Sequence, residues 1–446
     1  MSVTLAEPVV DAAVWPRSTR AHGGDLAVGG LPLAELAERF GTPLYVLDEQ
    51  HVRDTCRAYR RALPGVEIAY AAKAFLCRGL VRWLREEGFG LDVCSAGELA
   101  LATSAGMPGE RIILHGNAKS ADELRAALRL GVGRIVLDNP AEIARLAALV
   151  APRRRQRVMV RVVPGIEAGA HHAIRTGGED QKFGLSIARG DATDAVLRTV
   201  AQPHLELTGL HCHLGSQIGS VRPWLAAIGT LVRFLAELRD RHAIVLPELN
   251  LGGGHGIAYR TGEHALDIES FAIDVRRQLA RQCALYELPV PRLIVEPGRA
   301  VTGPAGVALY RVLVVKRTAH RVFVAVDGGM ADNPRPALYG ARTTVRLVGR
   351  PGAAQTRRVT VVGRYCESGD VLAPDVDLPD DIHPGDLLAI PAAGAYQQSM
   401  ASTYNLVGRP PVIAVHNGNT HILLRRETIE DLLRRDGDTD TDTSAT

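Results

Sequence analysis

The sequence predicts an α/β protein: a (β/α)8 TIM-like barrel followed by a β-rich C-terminal domain. Three observations carry this. Short apolar runs recur at 66–71, 90–94, 111–115, 134–138, 157–163, 206–213, 247–252 and 291–296, and most of the gaps can hold a helix. That many strand–helix units in about 230 residues fit a barrel whose usual size is ~250 residues. After Glu296 the rhythm changes: runs at 306–318, 321–327, 343–349, 357–363, 386–391 and 411–425 alternate apolar and polar residues with Gly, Pro and Asp between them, and read as strands without helices. An open doubly wound sheet is the competing architecture, but its dinucleotide fingerprint is missing from the first turn.

Taken in order, residues 1–25 show no clear period and are expected to be a loosely ordered lead-in. Residues 26–304 are assigned to the barrel domain, whose early strand at 43–47 is expected to join the β-rich domain. Residues 49–63 read as a helix stopped by Pro64-Gly65. Further helices are expected at 96–105, 120–130, 140–150, 222–239 and 268–285, with Ser120 to Glu123 fitting a capping box. Residues 305–430 form the β-rich domain, and 431–446, ending in an Asp/Thr-rich stretch, a disordered tail.

Composition narrows the function classes. Hydrophobic residues make up 46% and charged residues 23% of 446, with a net charge of +3. This nearly balanced charge carries no nucleic-acid or membrane footprint. No run approaches the ~20 apolar residues of a membrane helix, and no signal pattern opens the chain. The six cysteines are scattered without a C-x-x-C pair, so neither zinc nor a disulfide framework is expected, and a reducing cytoplasm is.

In such a barrel, chemistry gathers at the C-terminal ends of the strands. Strand one runs into Lys73, one of only four lysines, with Lys119, Lys182 and Lys316. An amine there suits Schiff-base chemistry, though a strand-end lysine reaching for solvent looks the same. Strand two ends at Asp92 and Cys94, strand three at His115, strand six at His211-Cys212-His213. His211 and His213 share a strand face; without an acidic or cysteine partner at metal spacing, packing on a flat ring is the better functional reading, with a core histidine the alternative. Gly252-Gly253-Gly254 after strand seven is either a flexible turn or a phosphate seat, to which Ser216 could donate. Glu296 at strand eight is either a cap or the partner of a pyridine nitrogen, and Arg299 would grip a phosphate or carboxylate.

The ordered set Y-A-A-K-A-F (70–75), H-G-N-A-K-S (115–120), H-C-H-L-G-S-Q (211–217), L-G-G-G-H-G (251–256), E-P-G-R (296–299), D-N-P-R-P-A-L-Y-G-A (332–341), C-E-S-G-D (366–370) and G-A-Y-Q-Q-S-M-A-S-T-Y-N (394–405) resembles the fold-type III pyridoxal-phosphate decarboxylases, most closely the diaminopimelate decarboxylases. The resemblance spans about residues 40–430. It implies an alanine-racemase-like barrel and pyridoxal 5'-phosphate bound covalently at Lys73. It further implies that His213 stacks on the ring, that Gly253, Gly254, Gly256 and Ser216 serve the phosphate, and that Glu296 pairs with the pyridine nitrogen. Asp92, Pro297 and Gly298 are expected to line the cofactor, with Arg299 on its phosphate or on the substrate. Cys366 is implied as proton donor, and Arg335, Tyr339, Glu367 and Tyr396 as substrate contacts, Tyr396 also lying near the cofactor. The implied assembly is a homodimer with shared active sites, Cys366 and Glu367 coming from the partner chain. His255 departs from the family's common leucine.

The implied reaction is decarboxylation of meso-2,6-diaminopimelate to L-lysine and CO2. A second amino-acid head needs both a cation and an anion, which Arg335 and Glu367 supply. A decarboxylase of another or carrier-linked amino acid, an amino-acid racemase and a non-catalytic cofactor-binding homologue are the rival readings. No metal is expected.

Overall fold

A computed structural model describes residues 10–168 and 176–437. Parallel strands Glu67–Ala71, Gly90–Val93, Ile112–Leu114, Arg134–Leu137, Gln156–Val163, Leu205–His211, Glu248–Asn250 and Arg292–Val295 pair one after the next. The last pairs with the first, Ile294 opposite Glu67 and Val295 opposite Ile68, so the sheet closes and leaves no barrel edge to protect. A short extra strand, Leu185–Ser186, lies beside the fifth. Ala69, Ile113, Val136, Met159 and Ile294 fill the interior as one buried apolar cluster, which makes it a packed core rather than a pore.

Helices Ala96–Ser104, Ala121–Leu130, Pro140–Leu149, Arg222–His242 and Ile268–Leu285 stand where expected, and Ser120 and Glu123 form the reciprocal capping box. For two barrel helices the sequence reading gave no bounds, and it omitted Leu33–Phe40 in the other unit. Arg78–Glu86 starts at Cys77, whose Sγ accepts from the Leu80 N–H at 3.4 Å, and cysteine is not among the usual N-cap signals. Asp191–Val200 starts at Gly190 with no side-chain cap.

At the opposite end of the strands from the site, charges tie the barrel together. Glu248 accepts from Arg134 Nε at 2.7 Å and Nη2 at 2.8 Å, from Arg157 at 2.7 Å, and from Arg292. Arg134 also forks onto Glu67 at 2.8 and 2.9 Å, so the starts of strands one, four, five, seven and eight are joined. Burial alone would raise the Glu248 carboxyl, but the hydrogen bonds from Arg134 and Arg292 hold it down to about 2. An unfolded glutamate titrates near ~4.3. The stability this group contributes is therefore fully present above that pH and is lost as pH falls from there through about 2. Glu248→Gln should cost about 3 kcal/mol at neutral pH, because the buried Arg134 guanidinium loses one of its two carboxylates. It should also flatten the acid side of the stability curve. Thermal melts across pH settle the matter: wild-type and variant curves of the same shape and height would remove this role.

The chain divides into two compact units, the barrel unit being Val52–Ile257 with Glu263–Val301. The second comprises the described residues up to His51, Ala258–Gly262 and those from Thr302 on. Its main sheet runs Val371–Pro379, Thr356–Val362, Val322–Val326, Gly306–Arg317, Leu44–Asp48, Val412–His416 and Asn419–Leu424. Leu387–Pro391 pairs with both Gly306–Arg317 and Arg346–Val348. The early strand thus joins this unit, antiparallel to Gly306–Arg317 and parallel to Val412–His416.

Three expected boundaries are corrected. The lead-in is ordered from residue 10: Val14 and Trp15 are buried in a core with Leu26, Leu33, Leu44, Leu309 and Ile413, and Arg20–His22 pairs with Asp25–Val28. Its anchors are two adjacent apolar residues in an aperiodic stretch, which periodicity cannot register. Residues 26–51, assigned to the barrel, belong to the second unit. In the tail, Ile429–Leu433 is helical, with Thr428 and Asp431 forming a capping box. Residues 1–9 and 438–446 lie outside the described residues. The strand Val371–Pro379 and the short helix Arg335–Tyr339 are further elements that the sequence reading omitted.

Candidate active site

The C-terminal ends of the barrel strands surround a cavity of ≈ 280 Å³, lined by Lys73, Asp92, Cys94, His115, Gly116, Asn117, Arg161, Phe183, His211, His213 and Glu296. Lys73 sits in a single 3-10 turn, Ala72–Ala74, directly after strand one. Both neighbouring alanines are buried while Lys73 itself is exposed. Lys119, from the neighbouring H-G-N-A-K-S motif, is excluded as a reactive amine. Its buried Nζ donates to Gly116 O at 2.7 Å, Val136 O at 2.6 Å and the Glu142 carboxylate at 3.0 Å, which uses every proton an ammonium has.

Glu296, fully inside the barrel mouth, is held by three donors. His115 Nε2 lies 2.8 Å from Oε1, Asn250 Nδ2 donates to Oε1 at 2.6 Å, and His211 Nε2 lies 3.2 Å from Oε2. Burial pushes this carboxyl up, yet His115 and His211 outweigh it and hold it well below the usual carboxylate range. The two imidazoles divide the work. Burial disfavours the His115 cation, but Asp92, 3.7 Å away, and Glu296 together raise its pKa. His211 is driven down to about 3 by burial, so it meets Glu296 as a neutral N–H donor. Asp92 is itself raised to about 6, chiefly by burial.

His211, Glu296 and His115 place their ligand atoms within 4.8 Å of one another. For one of the two strand-six histidines, His211, the expectation that no acidic partner stands at metal spacing is thereby corrected. Barrel closure brings one from strand eight, 85 residues further along the chain.

His213 follows strand six and is half-open to the cavity. Its Nδ1 accepts the Gly253 N–H at 3.1 Å, and burial with the nearby Lys73 and Arg161 charges pushes its pKa far down. A neutral, oriented, flat ring results. The glycine turn it touches has no room for side chains: a Cβ on Gly253 would meet Glu296 O at 2.1 Å, and one on Gly254, at φ 97°, would meet Gly215 O at 2.3 Å. Facing it, Arg299 Nη2 donates to Ser216 Oγ at 2.8 Å. Pro297 O accepts the Ala71 N–H at 3.2 Å, and a Cβ on Gly298 would touch Ala71 and Ala74 at 3.0 Å, so the E-P-G-R turn packs on the end of strand one.

The other expected residues lie in the second unit. Arg335 is buried, with its guanidinium 4.0 Å over the Tyr259 ring, and opens the short helix that carries Tyr339. Cys366 and Glu367 are exposed; the Cys366 N–H donates to Asn405 Oδ1 at 3.1 Å. Asp370 accepts the Met330 N–H at 2.6 Å and the Tyr365 N–H at 2.9 Å, joining the loop before Arg335 to the loop of Cys366. Tyr396 holds φ 61°, a backbone region that a tyrosine rarely adopts and that often marks a functional loop.

Sequence reasoning omitted His115, Asn250, Arg161, Cys94 and Phe183 from the site. His115 and Cys94 were visible as strand-end polar residues. Arg161 sits in the middle of an apolar run, buried 3.8 Å from Asp138 and 4.6 Å over the Phe183 ring, and gave no local signal.

The donor set fits pyridoxal phosphate: an amine for the aldehyde, a flat neutral ring, an ionised carboxylate for the ring nitrogen, and a tight glycine turn beside a guanidinium and a hydroxyl for the phosphate. Comparison agrees. The family described as pyridoxal-dependent decarboxylase, pyridoxal binding domain, matches residues 49–303. The chain is 55% identical over 430 residues to the diaminopimelate decarboxylase of Actinosynnema pretiosum subsp. auranticum, covering 96% of this chain and 97% of that protein. It is 48% identical to the Mycobacterium tuberculosis H37Rv enzyme of that name, over 94% of this chain and 97% of that one. The crystal structure of the M. jannaschii diaminopimelate decarboxylase in complex with L-lysine superposes with a TM-score of 0.88 at 31% identity, over 94% of this chain and 98% of that one. The chain belongs to the pyridoxal-dependent decarboxylases and, within them, to the diaminopimelate decarboxylases.

Proposed function

We propose that the cavity around Lys73 and Glu296 is where this enzyme removes CO2 from meso-2,6-diaminopimelate to leave L-lysine. The observation that carries the reading is the meeting, in one cavity, of an accessible lysine with a buried carboxylate held ionised by two histidines. When bound, pyridoxal phosphate supplies an electron-withdrawing ring that takes up the electrons of the Cα–carboxylate bond. Lys73, whose amine lines the cavity, is the residue that would hold the cofactor at its aldehyde end. Glu296, kept negative, holds a proton on the ring nitrogen. His213, its ring oriented by the Gly253 N–H, would offer a flat face to the cofactor ring. Ser216 and Arg299 would hold the phosphate, with the backbone of Gly253, Gly254 and Gly256 lying close to it and Asp92, Pro297 and Gly298 closing the walls.

Cys366 returns a proton to Cα once CO2 has left; a thiol, with its reference pKa near ~8.5, suits a transfer at neutral pH. Arg335 takes the distal carboxylate and Glu367 the distal ammonium, with Tyr339 and Tyr396 beside them. The exposure of Cys366 and Glu367 in the isolated chain supports a homodimer in which each protomer completes its partner's site. Free cysteines throughout support a cytoplasmic setting, and no described helix is long and apolar enough to cross a membrane.

The direct test incubates purified protein with pyridoxal phosphate and meso-diaminopimelate and follows CO2 and L-lysine; absence of both sinks the assignment. Arg335→Ala should lower kcat/KM for diaminopimelate about 100-fold or more, because the distal carboxylate loses its bidentate partner. Undiminished turnover in that variant would take Arg335 out of substrate recognition.

A further inference from the structure

Beside the glycine turn the barrel buries an imidazole that the chemistry above does not use. In Gly252-Gly253-Gly254-His255-Gly256, His255 carries the single side chain. Gly252 and Gly254 hold φ of 65° and 97°, so the segment pays a large entropic cost to stay in one shape. Its backbone is held on both sides of the histidine: the Glu296 N–H donates to Gly252 O at 2.8 Å, the Gly253 N–H to His213 Nδ1 at 3.1 Å, the Ile218 N–H to Gly254 O at 2.9 Å and the Gly256 N–H to Ile218 O at 3.0 Å. The His255 side chain leaves the turn for an aromatic box. Trp224 meets it edge-on with ring centroids 5.3 Å apart, Phe271 lies at 4.7 Å, and Tyr59 stacks at 5.7 Å.

An apolar side chain would fill this box without desolvating any polar atom. The histidine instead shares a 2.7 Å hydrogen bond between Nδ1 and the Tyr59 hydroxyl. Its Nε2 has no hydrogen-bond partner among the described residues. One directional contact is therefore the ring's single hydrogen bond among the described residues, and a buried imidazole without it is costlier still. That makes the angle of the His255 side chain, and with it the backbone of the turn, depend on Tyr59.

We propose that the Tyr59–His255 hydrogen bond is a positioning contact that locks the glycine turn in the shape that grips the cofactor's phosphate, and so sets how tightly the cofactor is retained. The inference rests on the reading of this turn as the phosphate seat. Neither residue touches the reacting atoms.

The test prepares wild type, Tyr59→Phe, His255→Leu and the double variant as holoenzymes, removes free cofactor by dialysis, and measures the pyridoxal-phosphate Kd by absorbance titration alongside kcat at saturating cofactor. Each single change should raise Kd about 5–10-fold with kcat nearly unchanged, as expected for loss of one buried hydrogen bond. The double should be no weaker than the weaker single, since both remove the same contact. His255→Gln, whose amide can still meet the Tyr59 hydroxyl, should recover most of the affinity, and it stands in for His255→Leu if that variant does not fold. An unchanged Kd in Tyr59→Phe, or effects that multiply in the double variant, overturns the proposal. A wild-type protein that binds no pyridoxal phosphate fails the underlying reading instead.

Discussion

Lys73→Ala is expected to yield a folded protein whose diaminopimelate turnover falls more than ~1000-fold, as for loss of a covalent catalyst. Lys73 is the one strand-end amine facing the cavity, in a turn whose other residues are buried alanines. Removing its side chain leaves no hole in the barrel core, so the melting temperature should move little. Borohydride reduction of the wild-type holoenzyme, followed by peptide mass analysis, should find the cofactor's mass on the peptide containing residue 73 and nowhere else. Lys119 is the internal control: its amine is consumed by two carbonyls and Glu142, and it should stay unlabelled. Label on Lys119, or near-normal turnover in Lys73→Ala, would falsify the assignment.

The second large effect is expected at Glu296. Glu296→Gln keeps the size of the side chain but removes the charge. A neutral amide cannot hold a proton on a ring nitrogen, and its NH2 group would face the His115 and His211 donors. Turnover should fall about 100–1000-fold, equivalent to about 3–4 kcal/mol of lost transition-state stabilisation. Cofactor attachment at Lys73 should persist, because the covalent bond does not need that charge. The two readouts separate chemistry from folding: kcat collapses while borohydride labelling of residue 73 continues. A variant with wild-type kcat would mean that the buried carboxylate serves only to hold the two histidines in place.

Much of this was legible along the chain because it is local. Alternating strands and helices, the polar residue closing each apolar run, the Ser120 capping box and the glycine run before His255 are all signals carried within a few residues. What resisted reading were features whose cause lies far away in sequence. Trp15 is a core residue although nothing around it shows a period. Cys77 caps a helix although cysteine seldom does. Arg161 is an interior charge inside an apolar strand, tolerated because Asp138 and the Phe183 ring stand beside it.

By itself, then, the sequence determined the barrel, the strand-rich second unit and the lysine, histidine, glutamate and glycine turn at the strand ends. Only the tertiary structure decided how those groups act on one another. His115 and Glu296 are 181 residues apart and become hydrogen-bond partners at 2.8 Å because the eighth strand closes onto the first. Two histidines that look equivalent in a list of motifs end with opposite preferences for a proton. A pKa is set by desolvation and by the charges within a few ångströms, and those neighbours exist only once the barrel has closed.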